Sequence, residues 1–382
     1  MAKLQKRKDG RYQSSVYLGK DDNGNKKYKV VYGDTIKDAE QKAAEIKSMY
    51  GKGIDVCAAD ETFGTWSKRF YAVKKAEGLG YSQLSNINTF IGHLAPICSM
   101  PLSKVQTAQI QAIINRLADW HDGKPPLAKR TLKYIVQNAC AIFKMAIGQR
   151  VIEYNPAEYV VVPKNAEVTE RTAIEPYQRQ WVIDTEHNAK RIAMLMLFAG
   201  LRRGEAMTLT WCDVDLGAGT ISVNKAVEFI GNAARVKSPK TKAGYRTVDM
   251  HPTLKIFLQQ ERRNDSYVLI VHKRDGSMLS KSGFATLWRS YIADLNIKYG
   301  YDGAASKHNP QGIPLRIQTF TAHQLRHTFC TMLYEAGYSV VEAKAQMGHA
   351  DIQTTANIYT HLDKIAKKKT VSKLEIFAKE NA

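Results

Sequence analysis

Polar and apolar positions alternate with a period of two in RYQSSVYLG and again in NKKYKVVYG, the pattern of half-buried strands. Asn23-Gly24 lies between them, so the pair predicts a hairpin. An earlier short strand, joined through Lys8-Asp9-Gly10, would make the sheet three-stranded. The period then changes to that of a helix in DTIKDAEQKAAEIKSMYGKG. Its apolar stripe runs Ile36, Ala39, Ala43, Ile46, with Asp34 or Thr35 as cap and Gly51 as stop. The other face of this small sheet reads as rich in Lys, Arg and Tyr, suited to lying in a DNA groove.

From Ala58 to Pro163 the strand pattern disappears. TFGTWSKRFYAVKKAEG, SQLSNINTFIGHLAPIC, TAQIQAIINRLADWH and LAKRTLKYIVQNACAIFKMAIGQ all carry helical periodicity, separated by turns at Gly78-Leu79-Gly80 and Asp122-Gly123-Lys124-Pro125-Pro126. Asn155-Pro156 and Pro163 end this stretch, and KNAEVTER reads as a linker. Beyond it the chain mixes both periods. RQWVIDTEHNAKRIAMLMLFAG, TAHQLRHTFCTMLYEAG and the region after Met347 read as helical; GTISVN, ARVKSPKTKAGYRTVDM and SYVLIV read as extended. A Gly/Asn/Ser/Pro-rich loop spans Tyr299 to Pro314. The expected fold class is therefore multidomain α+β: a small N-terminal sheet plus helix over 1–56, a helical domain over 57–166, and a mixed, mainly helical domain over 167–382.

Charge narrows the function. Among 382 residues, 56 Lys+Arg stand against 36 Asp+Glu, a formal net charge of +20, while 44% hydrophobic residues are enough to bury real cores. A folded, strongly basic chain points to a polyanionic partner, most simply nucleic acid. No run approaches 18 apolar residues, and MAKLQKRKDG lacks an apolar signal core, so a membrane span and an export signal are not expected and a cytoplasmic setting is. Five cysteines, at 57, 98, 140, 212 and 330, are odd in number and widely spaced, which argues for packing rather than disulfides or a metal site.

Several polar residues of the last domain stand out. Arg202 follows an apolar helix directly in LFAGLRRGEAMTLTW, so it either caps an exposed turn or enters a cleft. TAHQLRHTF places His323, Arg326 and His327 on one helix face. The two histidines have zinc-like spacing, but no acidic base lies between them and no further ligand cluster is near in sequence, so no metal is expected. MGHADIQTTANIYTH then supplies His349 and, ten residues later, Tyr359.

AGLRRGE, the Lys-bearing PKTKAGYRTV, HQLR, MGH and NIYTH occur in this order over the last half of the chain. Together they resemble the tyrosine recombinases, and more closely the integrases of temperate phages and conjugative transposons. The helical segment ending VIEYNPAEYVVVPK looks like the core-binding domain of those integrases, and the N-terminal sheet plus helix like their arm-binding domain. Carried over residue by residue, the resemblance implies catalytic roles for Arg202, Lys240, His323, Arg326, His349 and Tyr359. Lys242 is an alternative to Lys240, and Glu205 is implied as a buttress.

The chemistry of such a set is coherent. Guanidinium forks match the oxygens of a phosphodiester, so Arg202 and Arg326 would clamp it, with His349 adding a hydrogen bond. Tyr359 would attack; its free pKa of about 10 leaves about one part in a thousand ionised at pH 7, a cost of roughly 4 kcal/mol that a base such as His323 can offset. Lys240 would protonate the leaving 5′ oxygen. The implied 3′-phosphotyrosine link conserves the energy of the broken bond, so no cofactor is expected, and there is no GxxxxGK[ST] loop. The implied partners are double-stranded DNA attachment sites of core and arm type, a homotetramer on DNA, and excisionase and DNA-bending proteins. Two other readings remain open: a chromosome- or plasmid-resolving recombinase, which would not need the N-terminal sheet, and a non-catalytic DNA-binding regulator, which would not need the six residues together. Val371, Leu374 and Phe377 give the tail a helical stripe that could dock on a neighbouring protomer.

Overall fold

Strands Tyr12–Lys20 (β1) and Lys26–Gly33 (β2) pair antiparallel in the computed structural model, which describes residues 6–20, 23–168, 172–239, 242–301, 313–360 and 362–363. The pleat turns Val16 and Leu18 inward toward helix α1 (Ile36–Gly51), where Ala43 and Ile46 join them with Ile54 and Val56 in a small core. Thr35 caps α1, its hydroxyl accepting from the Asp38 amide at 3.1 Å. The chain turns away at Gly53, with φ of 78°, rather than at Gly51. Of a third strand, the described residues show a single bridge from Lys6 to Tyr12.

The exposed face of this sheet carries the expected tyrosines, but its cations sit at the edges. Register pairs Gln13 with Tyr32, Ser15 with Val30, Tyr17 with Tyr28 and, beyond an irregularity, Lys20 with Lys26, so the face is mainly aromatic and polar, with lysines at its turn end. Lys29 falls on the opposite face because the period is two, and it donates to the Val56 carbonyl at 2.6 Å and pairs with Asp60. Arg7 and Arg11 sit at the margin, 5.0 and 5.3 Å from the Tyr32 ring centre.

The chain divides into two compact units, Met1–Thr169 and Glu170–Ala382. The first also holds helices α2 (Phe63–Ala76), α3 (Tyr81–Gly92), α4 (Thr107–Ala118) and α5 (Lys129–Gly148). They enclose a core distinct from that under the sheet, built on Phe63, Trp66, Ile110, Ile114, Leu132, Ile142 and Phe143. Asn155 closes it: its amide donates to the Cys140 carbonyl at 3.1 Å and its Oδ1 accepts from the Ala157 amide at 3.0 Å.

In the second unit the long helix expected over RQWVIDTEHNAKRIAMLMLFAG is two, α6 (Pro176–Asp184) and α7 (Lys190–Phe198). Thr185 takes extended backbone, and His187 Nδ1 accepts from the Ala189 amide at 3.0 Å, starting the second helix. Every residue of α7 from Ile192 to Phe198 is buried. The short helix α8 (Arg203–Ala206) follows it. Strands β3 (Val214–Asp215), β4 (Thr220–Val223) and β7 (Arg246–Asp249) form an antiparallel sheet in that order, with Ile221, Val223 and Val248 inward. Strands β5 (Ala226–Ile230) and β6 (Ala233–Lys237) form a separate hairpin. Helices α9 (Pro252–Asn264), α10 (Lys281–Gly300), α11 (Ala322–Glu335) and α12 (Val340–Met347) complete the unit with a further helical stretch over 352–360. SYVLIV is not a strand; only a bridge from Thr210 to Leu269 forms there. Of the cysteines, Cys330 is buried whereas Cys212 is exposed, so packing does not explain all five. Lys240, most of the 299–314 loop and the tail stripe lie outside the described residues.

Gly200 is where α7 meets α11. It has φ of 60°, and a Cβ there would lie 2.3 Å from the Phe329 ring. Gly200→Ala should destabilise the protein by about 2–3 kcal/mol, whereas Gly92→Ala, a helical position with open space around it, should be neutral or stabilise by about 0.5 kcal/mol. Urea denaturation of both variants checks this; equal stabilities would refute the packing account.

Candidate active site

The apolar helix α7 delivers the chain to Arg202 in a single sharp step. Gly200 takes the left-handed turn, Leu201 is buried, and Arg202 caps α8 in extended backbone. Three residues on, Glu205 folds back: Oε2 accepts from the Arg202 amide at 2.8 Å and Oε1 from its Nη1 at 2.7 Å. The Arg202 side chain keeps 41% of its surface open, whereas that of Glu205 keeps 6%.

Glu205 is the hub of a cation cluster. Arg246 of β7 grips it with both fork nitrogens, Nη1 to Oε1 at 3.1 Å and Nη2 to Oε2 at 2.8 Å. Arg326 of α11 lies with Nη1 at 3.9 Å from Oε2. Burial alone would push the carboxyl up, but the hydrogen bonds and charge of Arg246, then the charges of Arg202 and Arg326, outweigh it and lower it to about 2. Arg326 is 2% exposed. Burial, and then repulsion from Arg202, lower it to about 9, which leaves it charged at neutral pH.

The other side of the cluster is the C-terminal end of α12. Arg246 Nε donates to the Gln346 carbonyl at 3.0 Å, Arg326 Nη2 to the Met347 carbonyl, and Arg202 Nη2 to the Gly348 carbonyl at 2.6 Å. These carbonyls have no partner further along the helix, and they carry the negative end of its dipole. Three guanidiniums, from the cap of α8, from β7 and from α11, thus meet three successive carbonyls. Arg326 Nη1 takes a fourth, that of Gly200. Gly348 is left-handed, with φ of 62°, and turns the chain so that His349 follows the cluster directly. His349 Nδ1 lies 2.8 Å from Thr355 Oγ1, and Thr355 is fully buried. Burial, then the charges of Arg326, Arg202 and Arg246, lower its imidazole to about 4, so it is neutral at pH 7.

His323 is exposed in the first turn of α11, close enough for its charge to lower His349 further. Tyr359 is placed differently. It is 7% exposed in a cluster with Phe329, Cys330, Leu333, Ala343 and Met347, edge-on to Tyr334 at 5.0 Å. Its hydroxyl donates to the Tyr338 carbonyl at 3.0 Å. Burial, then Cys330, Glu342 and Tyr334, push it up to about 12. Of the six expected residues, the fold therefore gathers Arg202, Arg326 and His349, keeps His323 within electrostatic range, and seats Tyr359 on a backbone carbonyl. Lys240 and the side chain of Lys242 lie outside the described residues. Sequence reasoning missed Arg246. A usable signal existed, since Arg246 and Val248 share one face of a strand and Val248 is core. Among the described residues there is no group of three or more His, Cys, Asp or Glu arranged to hold a metal, and no helix long and apolar enough to cross a membrane.

Comparison with known proteins adds three findings. The phage integrase family matches residues 182–365. The chain is 26% identical over 387 residues to a tyrosine recombinase XerC-like protein of Caldanaerobacter subterraneus subsp. tengcongensis, with 94% of each covered, and 23% identical over 278 residues to the ICEBs1 integrase of Bacillus subtilis, with 70% of this chain and 72% of the relative covered. Its fold is like that of lambda integrase in a tetramer bound to a Holliday junction, with a TM-score of 0.57, 18% identity, and 93% of this chain and 94% of that one covered.

Both shifted acids make the fold sensitive to low pH. The folded His349 declines a proton that the unfolded one accepts, so stability falls as pH drops from 6.5 toward 4. Glu205, folded near 2 against an ordinary 4.5, contributes fully above pH 4.5 and loses its contribution as pH falls toward 2, about 3 kcal/mol for the whole shift. In denaturation curves across this range, His349→Gln should flatten the upper limb and leave the lower one. A pH profile identical to wild type would contradict the placement of His349.

Proposed function

We infer that this chain, whose residues 182–365 match the phage integrase family, is a member of that family in function as well. It is a site-specific DNA recombinase, an integrase that cleaves and rejoins DNA strands. The observation that carries the reading is the convergence of Arg202, Arg246 and Arg326 on the Glu205 carboxylate with neutral His349 beside them, because the cluster retains excess positive charge at a point where a phosphodiester can bind. Arg202, the more open guanidinium, meets the phosphate first, with Arg326 behind it. With the Thr355 hydroxyl donating to Nδ1, His349 keeps a proton on Nε2 to give to a non-bridging oxygen.

Tyr359 is the nucleophile in this reading, and its seat on Tyr338 is a resting position. A phenol held near 12 in an apolar pocket does not attack, so DNA binding must draw it out toward the phosphate, where His323 takes its proton. The Tyr359 oxygen joins the phosphorus, the bond to the 5′ oxygen breaks, and Lys240 supplies that oxygen with a proton. Attack by a 5′ hydroxyl on the phosphotyrosine reverses each step. The groups named here supply the charge stabilisation and proton transfers without a cofactor.

The wider assignment follows the family. Residues 1–56 would engage arm sites through the aromatic face of the sheet, 57–166 and 167–382 would clasp the core site, and four protomers would act on two duplexes, with excisionase and DNA-bending proteins setting direction. The lambda integrase tetramer on a Holliday junction supports such an assembly. The setting would be the bacterial cytoplasm, at the nucleoid. The N-terminal sheet and helix favour a mobile-element integrase over a chromosome-resolving enzyme, which needs no second DNA-binding module.

A nicked suicide duplex carrying the junction sequence of the encoding element should trap a covalent adduct. Tyr359→Phe should abolish it, and Arg326→Ala should lower its rate about a thousandfold while DNA affinity stays within about threefold and keeps its steep salt dependence. An adduct that survives Tyr359→Phe would overturn the nucleophile assignment. Replacing the scissile 5′ oxygen by sulfur supplies a leaving group that needs no proton, so it should rescue Lys240→Ala; rescue of Lys242→Ala instead would move the acid to Lys242.

A further inference from the structure

His349 and Tyr359 have different surroundings, yet one short helix ties them together. The helical stretch over 352–360 carries Tyr359 near its end and Thr355 one turn earlier, on the same face and about 6 Å away along the axis. Both side chains point inward, Thr355 with 0% of its surface exposed and Tyr359 with 7%. Among the described residues each hydroxyl meets a single hydrogen-bond partner, and the partners differ in kind. Tyr359 rests at 3.0 Å on the carbonyl of Tyr338, in the turn between α11 and α12. Thr355 Oγ1 lies 2.8 Å from His349 Nδ1, beside the arginine cluster.

The direction of the second bond follows from what Thr355 leaves undone. A serine or threonine inside a helix commonly returns its proton to the carbonyl one turn back, as Thr328 does to Gln324 and Ser67 to Phe63. Thr355 meets His349 instead. A buried hydroxyl without an acceptor forfeits its hydration for nothing, so its proton goes to Nδ1 and His349 keeps its own on Nε2. Asp351 fixes the same end of the helix a second time, its Oδ1 accepting from the Gln353 amide at 3.0 Å. One end of the helix is therefore tied to the arginine cluster, while the tyrosine at the other end has to leave Tyr338 in order to react. We propose that Thr355 is a positioning residue and the pivot of this helix: it holds His349 as an Nε2 donor while the turn beyond it swings Tyr359 from Tyr338 to the phosphate. The histidine then stays ready in both states. The inference rests on the recombinase reading and deepens it, by tying the movement of Tyr359 to a residue outside the six.

The experiment compares wild type, Thr355→Val and Thr355→Ser, each carrying isotopically labelled histidine, by nuclear magnetic resonance of the ring nitrogens. His349 is identified by the signals that His349→Gln removes. Valine keeps the shape of the side chain without the hydroxyl, and serine keeps the hydroxyl. At pH 7 the free wild-type protein should show a proton on Nε2 of His349 and an accepting Nδ1. Thr355→Val should lose that pattern and slow single-turnover adduct formation on a nicked suicide duplex about tenfold or more, at a temperature well below the melting of every variant. Thr355→Ser should keep the pattern and the rate close to wild type. The pivot is read in Tyr359→Phe, with fluorine on the introduced ring to report its departure from the apolar pocket when an intact duplex binds. The His349 pattern should persist through that departure. An unchanged pattern and rate in Thr355→Val, a loss that Thr355→Ser shares, a ring that stays in its pocket, or a His349 pattern that vanishes on DNA binding would each overturn the proposal. Wild type that shows the expected pattern but forms no adduct would instead refute the recombinase reading itself.

Discussion

One carboxylate holds the catalytic unit's polar centre together. Glu205 is buried with three guanidiniums around it, from the cap of α8, from β7 and from α11, and none of those cations could share so small a space without it. A buried ion cluster is a poor source of net stability, because each charge gives up its hydration. Its value lies in what it leaves over. One negative charge against three positive ones leaves an excess of cationic donors, which on the proposed reading are in place before any phosphate arrives. The C-terminal carbonyls of α12 complete the balance, giving each arginine a second acceptor that adds no formal charge.

The same architecture separates the arginine cluster from Tyr359. Arg326 and Met347 link the cluster to the apolar pocket in which the Tyr359 ring rests, yet the tyrosine hydroxyl is satisfied by Tyr338. The cluster and the tyrosine are built on adjoining packing surfaces, and the free chain keeps them apart. Burial that makes His349 a neutral donor also makes Tyr359 a reluctant acid. On the proposed assignment, cleavage requires movement of the tyrosine, whereas the arginine cluster needs none.

Much of this was legible in the residues, and the reasons are specific. The hairpin followed from strict alternation and an Asn-Gly turn, and helices α2 to α5 from long apolar periods between clear turns. The failures have physical causes. α6 and α7 read as one helix because the polar residues between them fit the helical pattern; only the Thr185 and His187 hydrogen bonds reveal the break. SYVLIV reads as a strand from its side chains, but at this site just one bridge forms. Lys29 lies on the inner side of the sheet by register and pairs with Asp60 there, so not every lysine of the hairpin adds to a basic outer face.

What the sequence determined by itself was the inventory: a +20 chain, an ordered set of cationic motifs, a tyrosine ten residues beyond a histidine, and local elements written in short-range periodicity. Those properties depend on residue identity and on neighbours a few positions away. Tertiary structure alone decided which cations meet. Arg202, Arg246 and Arg326 are scattered along more than a hundred residues, and the partners that fix them are a carboxylate and backbone carbonyls that carry no sequence signature as such. It also decided that Tyr359 rests on a carbonyl in an apolar pocket, because burial and hydrogen-bond supply are properties of a packed interior and not of a motif.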